Sequence, residues 1–161
     1  MDHMDAIGAA WRRERPGLDV SPLMLLGRLF RAAALADARL GEQLAGHDLQ
    51  PGWFDLLAAL RRAGEPYELN PTQLMRATML SSGGMTKRID RLVDEGLIER
   101  RPDPNDRRGT LVRLTARGRK LIDEALPAHV ANEAELLARL TAHERSVLDG
   151  ILRKLLLELE S

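Results

Sequence analysis

Leu80-Ser81-Ser82-Gly83-Gly84-Met85-Thr86-Lys87-Arg88-Ile89-Asp90-Arg91-Leu92-Val93-Asp94-Glu95-Gly96 is the stretch on which the reading of this chain turns. At about 100° per residue, Met85, Ile89, Leu92 and Val93 fall on one face of a helix, and Gly83, Lys87, Asp90, Arg91 and Asp94 on the other. The pattern predicts an amphipathic helix over residues 83–95, stopped by Gly96. Just upstream, Asn70-Pro71-Thr72-Gln73 combines an Asn cap with Pro at the first helical position and predicts a short helix to about Thr78. Leu80-Ser81-Ser82 is then a tight turn, and two helices across such a turn make a helix-turn-helix. Ser81, Ser82, Gly83, Thr86 and Lys87 gather donors at the start of the second helix, with Arg91 on its polar face. There they suit base edges and phosphates, with the helix dipole assisting. Taken alone, the same pattern reads more readily as an ordinary solvated helix.

The segment directly behind it tips the balance. Residues 97–101 and 111–114 alternate like short strands. Between them Pro102-Asp103-Pro104-Asn105-Asp106-Arg107-Arg108-Gly109 is a turn-forming run. The pair predicts a hairpin with a charged tip, a wing, in which Arg107 and Arg108 enter a narrow minor groove and Asp106 holds one of them in position.

Outward from this lobe the chain reads as helix. Residues 5–14 form a short helix carrying Trp11, stopped by Pro16 and Gly17. Ser21 caps a long helix with Pro22 at its first position, reaching about residue 45 and carrying Leu25, Leu26, Leu29, Phe30, Ala33, Leu40 and Leu44. Pro51 opens a helix through Trp53, Leu56, Leu57 and Leu60 that ends at Gly64, and Tyr67-Glu68-Leu69 gives a strand stub. Thr115 caps another long helix, which Pro127 is expected to kink. Thr141 to Glu144 is a capping box ahead of a stripe of Val147, Leu148, Ile151, Leu152, Leu155, Leu156 and Leu159. The expected fold is mainly α with a small β component, a winged helix-turn-helix. Residues 1–50 form an N-terminal helix and a dimerisation helix, residues 51–115 the DNA-binding lobe, and residues 116–161 the C-terminal dimerisation helices. The apolar surfaces of the long helix and the C-terminal stripe exceed what the small lobe covers, so a homodimer is expected.

Composition narrows the function. The 161 residues are 44% hydrophobic and 30% charged with only 3% aromatic, a globular chain whose core is aliphatic. With no cysteine there is no disulfide framework, thiolate zinc site or thiol-based redox sensor. Neither a secretory signal nor an apolar run long enough to span a membrane is present, and a cytoplasmic protein is expected. Formal net charge is zero, yet residues 85–120 hold eleven cations against six anions and residues 121–161 four against eight. A basic lobe on a neutral to acidic body suits a polyanion partner. His3, His47, His129 and His143 are scattered, and there is no nucleophile motif or phosphate-binding glycine pattern, so neither catalysis nor a cofactor is expected. His129 and Glu133 have the i, i+4 spacing of a helix-surface pair, and two ligands define no metal site.

Residues 80–92, followed by Gly96-Leu97-Ile98, by Asp103-Pro104-Asn105-Asp106-Arg107-Arg108-Gly109 and by Leu114-Thr115-Ala116-Arg117-Gly118, resemble the MarR family of bacterial transcriptional regulators. The resemblance covers nearly the whole chain. It implies a homodimer joined through N- and C-terminal helices that binds pseudo-palindromic double-stranded DNA with one winged helix-turn-helix per subunit. The extra N-terminal helix with Trp11, together with Asp55, Arg88 and Arg100, is similar to the urate-responsive, PecS-like branch. That likeness implies that these four residues sense a urate-like anion. Independently, the wheel count sets Arg88 on the flank of the apolar face, while Lys87 points away from it. An Arg so placed can bind a planar anion bidentately. The simpler readings are an ion pair such as Arg88 with Asp55, a packing role for Trp11 and a plain strand charge for Arg100. The expected function is a repressor whose operator binding is weakened by a small anionic aromatic ligand. The alternative is a constitutive or architectural DNA-binding protein without an effector.

Overall fold

The computed structural model describes residues 1–47, 49–78 and 83–161, with Arg107 described by its backbone alone. It divides into two compact units, Met1–Glu42 and Gln43–Ser161.

In the first unit, α1 (His3–Glu14) is set by a capping box: the Asp2 side chain accepts from the Asp5 N–H, and the Asp5 side chain accepts from the Asp2 N–H. The helix therefore begins at His3, ahead of the expected Asp5. Arg28 reaches both cap carboxylates, with Nε 2.7 Å from Asp2. Helix α2 (Ser21–Ala45) begins here, and its last turn belongs to the second unit. Its cap differs from the expectation. Asp19 accepts from the Ser21 N–H at 2.9 Å, and the Val20 carbonyl accepts from the Met24 N–H. Ser21 is thus the first helical residue and Pro22 the second. The carboxylate, a stronger acceptor than the Ser hydroxyl, has taken the capping role. Met4, Val20 and Met24 form the small core of this unit.

In the second unit, Pro51 opens α3 (Pro51–Arg62), and the chain turns at Gly64 with φ +79°. The two-residue strand β1 (Glu68–Leu69) leads into α4 (Pro71–Arg76), where Asn70 and Gln73 form a reciprocal capping box. Helix α5 (Met85–Asp94) starts two residues later than expected, because Gly84 takes φ +82° and cannot continue a right-handed helix upstream. The turn at Leu80-Ser81-Ser82 lies outside the described residues.

The wing also departs from the expectation. Strands β2 (Ile98–Asp103) and β3 (Asp106–Leu114) leave only Pro104 and Asn105 between them. Arg107 and Arg108 consequently lie on the first residues of β3, not in the turn. Two short hydrogen bonds tighten the hairpin: Asp103 accepts from the Asn105 N–H at 2.8 Å, and Asp106 from the Arg108 N–H at 2.9 Å. Pro102 is tolerated because β2 is an edge strand. Gly109 is needed here, since a Cβ on it would lie 2.9 Å from Asp103 Cβ and 3.0 Å from Asp106 Cβ. The sheet is antiparallel with order β1-β3-β2, and Arg100 stands opposite Val112.

Thr115 caps α6 (Ala116–Leu136), which continues past Pro127. Gly118 lets α6 lie against the sheet: a Cβ there would fall 2.0 Å from the Leu97 carbonyl oxygen. Thr141 and Glu144 form the expected capping box for α7 (Ala142–Leu159). Leu56, Leu57, Leu60, Leu74, Leu92, Ile98, Val112 and Ile122 fill the core beneath the helix-turn-helix and wing. Each fully buried Leu contributes about 1.5–3 kcal/mol. By contrast α7 buries no residue, and Val147, Ile151, Leu156, Leu157 and Leu159 are exposed. Among the described residues no helix is long and apolar enough to cross a membrane.

Candidate nucleic-acid interface

Helix α5 divides cleanly between core and surface. Met85, Ile89 and Leu92 are buried, whereas Thr86, Lys87, Arg91 and Asp94 are exposed. Lys87 and Arg91 are one turn apart and form a cationic ridge along the outer face. Gly83 and Gly84 are exposed ahead of the first turn, so Gly83 stands before the helix and not on it. The two ends of α5 are held differently. Gly84 at the N-cap provides no side-chain hydrogen bond. At the other end, Gly96 turns the chain at φ +67°, and Arg117 Nη1 of α6 donates to the Glu95 carbonyl at 2.7 Å. A cation at a helix C-terminus is also favoured by the helix dipole.

Arg88 is half-buried while Lys87 is exposed, as the wheel count predicts. Its Nη1 donates to the Gly83 carbonyl at 3.1 Å. Its Nε lies 2.9 Å from where a Cβ on Gly52 would stand, so the guanidinium folds over the first turn of α3 through a gap that only glycine leaves. Asp55, half-buried, is one turn further along α3 and is itself engaged in a polar interaction. Arg100 sits elsewhere. Its Nη2 pairs with Asp90 at 2.7 Å, and Asp90 is two residues from Arg88, about 200° around the helix. Arg88 and Arg100 therefore grip opposite flanks of α5. Both partners of the Asp90–Arg100 pair are about half exposed, so solvent screening leaves it little energetic weight. Trp11 lies on α1 of the first unit and is 40% exposed.

On the wing, Arg108 is exposed, and only the backbone of Arg107 is described. The Asp106 carboxylate accepts the Arg108 N–H at 2.9 Å and so shapes the strand entry. Ser81 and Ser82, read as DNA contacts, lie outside the described residues. Two exposed cations were not singled out from the sequence: Arg76 in the last turn of α4 and Arg101 on β2.

His129 and Glu133 form the i, i+4 pair that their spacing suggests, but His129 is turned inward, its side chain only 12% exposed, so the pair is not a plain surface one. Nε2 stands 3.5 Å from the carboxylate, and the imidazole lies 4.2 Å from the Phe54 ring. Among the described residues no group of three His, Asp or Glu is placed to hold a metal.

Comparison with known proteins bears on this arrangement. A family model described as MarR family matches residues 47–109. The chain is 38% identical to the HTH-type transcriptional regulator PecS of Dickeya dadantii over 142 residues, covering 88% of this chain and 86% of that protein. Among solved structures, a mutant of MarR from E. coli complexed with operator DNA superposes with a TM-score of 0.73 at 34% identity, covering 87% of this chain and 99% of that one. BpsR of Bordetella bronchiseptica, whose structure concerns regulation of DNA binding by 6-hydroxynicotinic acid, superposes with a TM-score of 0.71 at 29% identity over 79% of this chain and 89% of its own.

Proposed function

The chain belongs to the MarR family of transcriptional regulators, and from that premise we propose that it is a ligand-responsive repressor that binds a pseudo-palindromic operator as a homodimer. The observation that carries the reading is the division of labour on α5. Thr86, Lys87 and Arg91 face outward, while Arg88 turns inward onto Gly52. The outward residues, with Gly83 and with Ser81 and Ser82 before it in sequence, supply donors to base edges and phosphates. Arg107 and Arg108 on β3 carry positive charge to the neighbouring minor groove. The uncovered apolar residues of α7 suit a second copy of the chain, and two helix-turn-helix lobes set half-sites about one helical turn apart, ~10 bp.

The effector is a small planar anion, urate or a chemical relative, and Asp55 and Arg88 are its candidate contacts; Arg100, paired with Asp90 on the opposite flank of α5, is not placed with them. Support comes from the PecS likeness and from BpsR, whose DNA binding is regulated by an aromatic acid. A guanidinium beside Gly52 has both the shape and the charge for such a ligand. An anion there acts on the helix that carries Lys87, so it favours a conformation with lower operator affinity.

A constitutive DNA-binding protein is the second reading, favoured by the fact that Arg100 already has Asp90 as a partner. The two separate in one experiment: binding of the purified protein to the region upstream of its own gene, with and without urate. Loss of the complex on adding urate supports the repressor reading. Unchanged affinity, with no ligand-induced thermal shift across urate, other purines and phenolic acids, favours the constitutive one.

A further inference from the structure

Helix α1 is held on α2 by a core unlike the larger one. Beneath the helix-turn-helix the buried side chains are overwhelmingly aliphatic, whereas within Met1–Glu42 they are Met4, Val20 and Met24, with Ile7 packed against them. The two thioethers interlock with glycines in a reciprocal pattern. A Cβ on Gly27 of α2 would lie 2.2 Å from Met4 Cε and 3.0 Å from its Sδ. A Cβ on Gly8 of α1 would lie 2.9 Å from Met24 Sδ. Each helix offers a methionine to a notch in the other that exists only because the facing residue lacks a side chain. Exposed ion pairs from Arg28 to Asp2 and Asp5 add to the docking but stabilise little on their own.

We propose that Met4 and Met24 are a reversible oxidation site through which a peroxide releases α1. The chain contains no cysteine, so thioethers are its most readily oxidised sulfur. A sulfur lone pair attacks one peroxide oxygen, and an S–O bond forms as the O–O bond breaks. The sulfur loses two electrons, and the second oxygen leaves with both peroxide protons as water. The product is a polar sulfoxide in a notch already filled by the thioether, and its oxygen must be placed in an apolar contact. Access comes from local opening, since a helix packed on so small an apolar core lies at the low-stability end of a fold. Methionine sulfoxide reductases of both epimer classes return the thioether.

The test treats the whole protein with hydrogen peroxide and follows two readouts: the oxidation of each methionine, located by fragment masses within its peptide, and the rate of tryptic cleavage after Arg12 and Arg13 of α1. Exposed Met1 and Met75 serve as internal references for the oxidant dose. The expected result is one oxygen on both Met4 and Met24, cleavage at least ten-fold faster, and protection restored by the reductases. A Met4→Leu/Met24→Leu variant keeps the volume of the contact and should stay protected with peroxide present. A Met4→Gln/Met24→Gln variant should be cut rapidly without any. The proposal is overturned if protein oxidised at both positions is cut at the parental rate. It is equally overturned if the leucine variant is protected before peroxide and loses that protection with it, or if both sulfurs stay unoxidised after Met1 and Met75 have reacted fully. Should leucine itself loosen the helix, reversal by the reductases in the parent protein decides.

Discussion

Lys87 and Arg88 are adjacent in sequence, yet one is exposed and the other folds over Gly52, so their removal should have different consequences. Lys87→Ala is expected to weaken operator binding, read as a higher Kd in a titration of labelled DNA. Arg88→Ala should leave a dimer that still recognises the operator but no longer responds to urate or a similar anion. Parental sensitivity in that variant, or complete loss of DNA binding, would count against Arg88 as the anion's partner. Arg108→Ala should weaken binding to every sequence tested. Because the contact proposed for it is electrostatic, the slope of log Kd against log salt should also fall by about 0.9 for each phosphate that is no longer neutralised. An unchanged salt slope would remove Arg108 from the interface. The split between Lys87 and Arg88 was legible from helical spacing alone. The pairing of Arg100 with Asp90 was not, because it depends on the register that sets Arg100 opposite Val112 on the sheet face turned to α5.

Elements held by local chemistry were the easiest to read. The boxes at Asn70/Gln73 and Thr141/Glu144 mark helix starts with residues three apart, and both helices begin there. The wing was misjudged because Asp103 and Asp106 each bond a backbone N–H two residues on, compressing an apparent eight-residue turn into two residues. Side chains that fold a turn onto themselves look, in sequence, like any polar loop. The α7 cap gives a pH prediction. The Thr141 N–H and hydroxyl donate to the Glu144 carboxylate and hold it below its ordinary value of 4.5. A depressed carboxylate stabilises the folded state above that ordinary value, and the contribution fades as pH falls through the lowered one. Glu144→Gln should therefore lose stability relative to the parent at pH 7, and the difference should shrink in acid denaturation below pH 4.5. The docking of α6 is less forgiving. A Cβ on Gly118 would meet the Leu97 carbonyl oxygen at 2.0 Å, and backbone cannot step aside as a side chain does. Gly118→Ala should cost about 1–3 kcal/mol, measured as a lower midpoint in urea.

For the molecule as a whole, the exposed apolar residues of α7 are expected to be covered by a second copy. The chain should therefore behave as a dimer by light scattering at micromolar concentration. Ile151→Asp would place a charge on that exposed surface, and it should shift the protein toward monomer and lose operator affinity in parallel. A parental molar mass for this variant would place the interface elsewhere. The two ends of α5 then acquire a mechanical meaning. Its heel is bolted: Arg117 of α6 holds the Glu95 carbonyl, and Gly118 seats α6 against the strand entry at Leu97. Its toe starts from an uncapped glycine. A rod clamped at one end and pushed near the other swings like a cantilever, with the greatest travel at the tip. An anion bound at Arg88, as proposed, would act within the first turn and a half, so Thr86 and Lys87 are expected to shift further than Asp94. Base-reading register would be lost first at the toe, and phosphate contacts further along the helix would outlast it.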